Sequence, residues 1–126
     1  MGALDGFVPY EAPKGHPMLY AAEYGIYINR EALRSLGNPE YISFHFHETE
    51  PMIAIMAEKE KSCHAARVNK ASSNGRIRYF TKGLMRKVEE TAGRCKIGRR
   101  FKATGKPMKQ GDARYIIFDL RRAKRI

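Results

Sequence analysis

Apolar residues recur along this chain with two alternating periods, and the switches between them mark its elements. Ile26 and Ile28 flank Tyr27, a period of two that predicts a strand with one buried face. Residues 18–23 are compatible with extending that strand toward its start. Asn29 follows with a short oxygen suited to capping a helix, and Leu33 and Leu36 then fall on one helical side. Gly37 and Pro39 stop the helix, the first by reaching the left-handed region, the second by its fixed φ. Ile42, Phe44 and Phe46 alternate with Ser43, His45 and His47, a second half-buried strand. Residues 48–51 form a polar turn, and the apolar run Met52–Met56 returns as a third strand.

The later chain repeats this order. Ile77 and Tyr79 alternate with Arg76, Arg78 and Phe80; Thr81 takes the capping place; Leu84, Met85 and Val88 form the helical stripe; Gly93 is its expected end. Residues 96–103 read as a basic strand anchored by Ile97 and Phe101, residues 105–112 as a polar loop, and residues 115–120 as the strongest β-run. Ser72-Ser73-Asn74-Gly75 is the strongest turn signal, and Ala65–Val68 reads as a short strand or a turn of helix. The resulting organisation is an irregular arm over 1–19, a βαββ half-module over 20–60, a linker over 61–75 and a second, basic βαββ half-module over 76–126. In the arm, Phe7, Val8 and Tyr10 are expected to pack on the body. Neither half is large enough to close a core alone, so the expected fold is α+β: a small β-barrel or sandwich-like domain in which the halves cover one another.

The stretch Ile26-Tyr27-Ile28-Asn29-Arg30-Glu31, then Leu36-Gly37, then Tyr41 to Met56, resembles the swapped-hairpin module of AbrB/MazE-type regulators. It covers about a quarter of the chain, with a degenerate second copy after Arg76. Asn29 stands where that family has proline, Ala32 where it has leucine, and Tyr24-Gly25 where it has the Gly-Arg whose arginine contacts DNA. The resemblance implies a swapped-hairpin pseudo-dimer and a DNA-binding regulator, and it alone favours duplex DNA over RNA.

Charge sharpens this reading. Residues 1–65 carry five Lys+Arg against nine Asp+Glu, a balance of −4, and residues 66–126 carry nineteen against four, +15, together +11. Such an excess repels itself unless a polyanion neutralises it. Arg76, Arg78, Lys82 and Arg86 bracket a strand-to-helix turn, and Arg99, Arg100 and Lys102 follow on the next strand; these seven are the expected nucleic-acid contacts. The aromatic neighbours Tyr79, Phe80 and Phe101 are placed either to stack on unpaired bases or to fill the core, and the parity of Tyr79 and Phe101 with Ile77 and Ile97 favours core for those two. The C-terminal residues 121–125 read as a basic tail that orders on a polyanion.

Other chemistry is sparse. Cys63 and Cys95 are too few for a disulfide framework and read as cytosolic thiols. No apolar run approaches the ~20 residues that cross a bilayer, and residues 1–10 lack a secretory pattern. The expected location is therefore the cytoplasm, without a membrane partner. No Gly-rich phosphate loop, nucleophile elbow or acid–base pair is visible, so neither an enzymatic activity nor a cofactor is expected. Glu48 and Glu50 read as solvated turn residues. Two other readings compete: an assembly protein of phage or mobile-element type that docks an acidic partner, and a metal enzyme using His45, His47 and His64, with Cys63 beside the last. A homodimer is an open possibility of the same packing argument.

Overall fold

A computed structural model describes residues 3, 5–8, 15–61, 65–68 and 76–126. The strands are β1 (Met18–Ala22), β2 (Gly25–Ile28), β3 (Tyr41–Phe46), β4 (Met52–Glu58), β5 (Ala65–Arg67), β6 (Ile77–Tyr79), β7 (Phe101–Gln110), β8 (Ala113–Asp119) and β9 (Lys124–Arg125). Helix α1 (Arg30–Ser35) joins β2 to β3, and α2 (Lys82–Gly93) joins β6 to β7. The strands form an antiparallel sheet in the order β5-β3-β4-β8-β7-β1-β2-β6, with β9 added beside β8 on β7. The sheet curls into a half-barrel. Phe44, one strand in from the β5 edge, meets Tyr79 on the β6 edge with ring centroids 5.2 Å apart, edge to face.

The inner face is set by parity. Leu19, Ala21, Ile26, Ile28, Ile42, Ile53, Ile55, Ile77, Phe101, Ala103, Ile116 and Phe118 point inward and are buried. Ala32 and Leu36 of the α1 region and Val88 and Ala92 of α2 complete the same core. Removing these apolar surfaces from water is the main driving force, at about 25 cal/mol per Å² buried. Strand β7 serves both ends of the sheet: residues 101–104 pair with β1, and residues 105–110 pair with β8.

The pairings interleave the two halves of the chain. β2 pairs β6, β4 pairs β8, β1 pairs β7 and β3 pairs β5. The helices follow suit: α1 packs on β7 and β8, and α2 on β3 and β4.

Several expectations need correction. Residues 18–23 do not lengthen the Ile26–Ile28 strand; a tight turn at Glu23 and Tyr24 folds them back as β1, paired in register Ala22↔Gly25. The basic strand begins at Phe101 rather than 96, because residues 94–100 unwind from α2. The expected polar loop at 105–112 is strand to Gln110, with only Gly111 and Asp112 turning. Alternation of Lys106, Met108 and Gln110 with small or polar neighbours hid a strand whose ladder partner is β8. Gly93 keeps helical geometry; the left-handed residue is Lys96, φ 56°, with Ile97 N–H donating to Ala92 O at 3.4 Å. Phe7 and Val8 do not pack on the body, being 76% and 87% exposed. The basic tail is built into the fold: Leu120–Arg122 form a 3-10 turn, and Arg125 on β9 donates to Ile97 O at 3.0 Å and Lys96 O at 2.9 Å. Ser72–Gly75, Cys63, His64 and Tyr10 lie outside the described residues.

Candidate nucleic-acid interface

The outer surface of β9, β7, β1, β2 and β6 is built by the residues that alternate with the core. Residues directly opposite on neighbouring antiparallel strands share a face. The register therefore lays out one continuous row: Lys124 opposite Lys102, Lys102 opposite Tyr20, Tyr20 opposite Tyr27, and Tyr27 opposite Arg78. With strands about 4.8 Å apart, the row spans about 19 Å. Its ends are exposed cations and its middle is two partly exposed tyrosines. None of its five members is acidic.

Neighbouring groups extend the row. The Arg76 guanidinium carbon stands 4.0 Å from the centroid of the Tyr20 ring, and that of Arg78 lies 5.3 Å from the Phe80 ring. Arg78 also donates from Nε to the Tyr24 carbonyl at 2.7 Å. Its path crosses Gly25, where an added Cβ would stand 2.9 Å from the Tyr79 carbonyl and 3.2 Å from Arg78 Nε. Gly25 also holds φ 148°, in the region that glycine alone enters easily. A bare backbone at this turn thus fixes Arg78. Tyr24 and Phe80 beside it are 71% and 48% exposed.

The seven expected contacts do not all meet here. Arg76, Arg78 and Lys102 stand on this outer face, and Arg100 precedes Lys102 by two residues. Lys82 and Arg86 share one exposed side of α2. Arg99 is paired with Glu89 at 3.2 Å. Tyr20, Tyr27 and Lys124 carry the row without being among the seven expected contacts, Lys124 belonging to the expected basic tail. The available signal was that Tyr27 sits between two buried isoleucines, so its ring had to face outward.

Elsewhere, polar groups are absorbed by structure. The Ser43 hydroxyl, wholly buried, donates to Glu58 Oε1 at 2.6 Å and lies 2.7 Å from His45 Nε2. A hydroxyl has one proton, so His45 must donate to Ser43; this is the reverse of a base activating a nucleophile. His47 Nδ1 accepts from Thr49 N–H at 3.1 Å and Glu50 N–H at 2.9 Å, which ties the imidazole to its own turn. Arg94 donates to the carbonyls of His47 and Glu50 at 2.6 and 3.0 Å, and Arg121 pairs with Glu50 at 3.4 Å. Glu50 is thus in an ion pair, not merely solvated. The Arg121 hydrogen bond holds the Asp119 carboxyl below its ordinary range. Among the described residues no three His, Cys, Asp or Glu gather as metal ligands, and no helix is long and apolar enough to cross a membrane.

Comparison of this chain with family models, curated proteins and solved structures finds no match in any of the three.

Proposed function

We propose that this protein is a small, non-catalytic nucleic-acid-binding protein of the cytoplasm that uses the outer face of β6-β2-β1-β7. The observation that carries the reading is the cross-strand row Lys124–Lys102–Tyr20–Tyr27–Arg78. Phosphate contacts from its cations supply affinity, and arginine forks supply any base-edge contacts. The DNA-binding-regulator reading draws on the AbrB-like stretch and on a swapped-hairpin pseudo-dimer within one chain. What supports the pseudo-dimer is reciprocity: with β5 of the linker counted into the second half, exchanging β1, β2, β3 and β4 for β5, β6, β7 and β8 leaves each inter-half pairing intact. Five cations, counting Arg76 and Arg100, predict a fall in affinity of roughly 100- to 500-fold between about 50 and 200 mM salt. A filter-binding titration checks this; no retention even at low salt removes the reading.

A second reading is favoured by one surface. Outward positions Met56, Tyr115 and Met108 lie opposite one another across β4, β8 and β7, with Ala54 and Ile117 alongside. Such an apolar outer strip suits a protein partner or a second copy. In that case a complex survives nuclease treatment. Under the first reading, purified protein carries nucleic acid that nuclease removes, visible as a raised 260/280 nm absorbance ratio in a chain with no Trp.

A further inference from the structure

Resting on the nucleic-acid reading, we infer that the ligand of the β9-β7-β1-β2-β6 face is a single strand whose unpaired bases stack on Tyr27 and its aromatic neighbours. Tyr20 and Tyr27 stand in the row, Phe80 lies beside Arg78 at its β6 end, and the exposed Tyr24 sits in the β1–β2 turn whose carbonyl holds Arg78. Cations stand at both ends, Lys102 and Lys124 on one side and Arg78 on the other. A duplex encloses its base faces in its own stack and offers only phosphates and groove edges, so outward rings have no partner there. A single strand presents phosphates and π faces together, which is the combination this surface complements. The shape agrees: the outer face of the half-barrel lets an extended strand cross β7, β1, β2 and β6 over about 14 Å. Tyr27 is the principal stacking ring, because Arg76 already stands over Tyr20. No group here is specific for the sugar, so RNA and single-stranded DNA share the chemistry and the experiment separates them.

The test uses the full chain with labelled uridine and deoxythymidine oligomers of about 12 nucleotides, within the usual site sizes for small β-folds, and a duplex of the same length. Fluorescence anisotropy at low salt should show one or both single strands bound more tightly than the duplex; the tighter of the two names the source. Tyr27→Leu should weaken single-strand binding roughly 5- to 100-fold, leave duplex binding unchanged, and be rescued by Tyr27→Phe. Lys102→Gln with Arg78→Gln should weaken all three. On wild-type protein, ring resonances of Tyr27 should move upfield as a single strand is added, a readout that needs no variant to fold. Equal or tighter duplex binding, or unmoved Tyr27 resonances at saturation, overturns the single-strand inference and leaves nucleic-acid binding standing. Absence of binding to all three probes overturns both.

Discussion

At Gly105 the inner face has no room for a side chain. An added Cβ would meet Ile116 Cγ2 and stand 2.6 Å from Phe118 Cε1, on the strand where β7 passes from β1 to β8. Gly105→Ala should cost about 1–3 kcal/mol in urea unfolding, the usual penalty of overpacking a filled core. Tyr79 presents the opposite case. Its hydroxyl is buried with no hydrogen-bond partner among the described residues, and burial pushes its pKa from the ordinary 10.0 to about 12. The folded state therefore holds this proton more tightly than the unfolded chain. That contribution is fully present below pH 10.0 and is lost as pH rises through about 12. Tyr79→Phe should leave stability at neutral pH equal or higher, since it removes an unsatisfied polar atom. It should also flatten the alkaline fall of the thermal midpoint relative to wild type. Tyr79's place in the core was legible in its parity with Ile77; its lack of a partner was not, because that depends on what Phe44 and its neighbours bring from the other edge.

At the level of elements, two caps that look alike in the sequence differ in what they hold. The Thr81 hydroxyl accepts the Leu84 amide, at 3.0 Å, within its own helix. Asn29 accepts the Ala32 amide and the Met18 amide, each at 3.0 Å, and donates to the His16 carbonyl at 2.8 Å. It therefore joins α1 to the start of β1. Thr81→Ala should cost about 1 kcal/mol, a common value for a lost cap. Asn29→Ala should cost about 2–3 kcal/mol in the same urea titration, because a part-buried amide beyond the helix also loses its acceptor. Both capping residues were readable from local chemistry. The second role of Asn29 was not, since it appears only once β1 folds back. Helix ends show the same division: Gly37 follows α1 at φ 81°, as its type suggests, while the left-handed residue after α2 is Lys96, whose carbonyl and that of Ile97 accept from Arg125.

For the whole molecule, the interleaved pairing sets the unit of folding. Residues 1–69 keep β5 beside β3 but lose the partners of β1, β2 and β4 that come from β6, β7 and β8, and residues 70–126 lose the reciprocal ones. Each fragment alone should lack cooperative unfolding and dispersed amide resonances, and mixing the two should restore both. A fragment that folds independently would contradict the shared core. Charge belongs to this scale as well. The +15 carried after residue 65 is not one patch. Arg94, Arg99, Arg121 and Arg125 bind carbonyls and carboxylates away from the row. Arg76, Arg78, Lys102 and Lys124 stand on the outer face with the tyrosines, Arg78 held there by the Tyr24 carbonyl.

Periodicity, caps and charge asymmetry are local quantities, and they determined the two helices, most strands, the inward parity and a basic later half. Which strands pair, where β7 bends from one neighbour to the next, and which cations stand beside which rings depend on contacts between residues far apart in the chain. Tyr20 and Tyr27 became neighbours, and Tyr27 came to face Arg78 across 51 positions, only because β1 folds back and β6 crosses from the other half. Loop closure and core burial jointly select that arrangement, and no short window of sequence contains either.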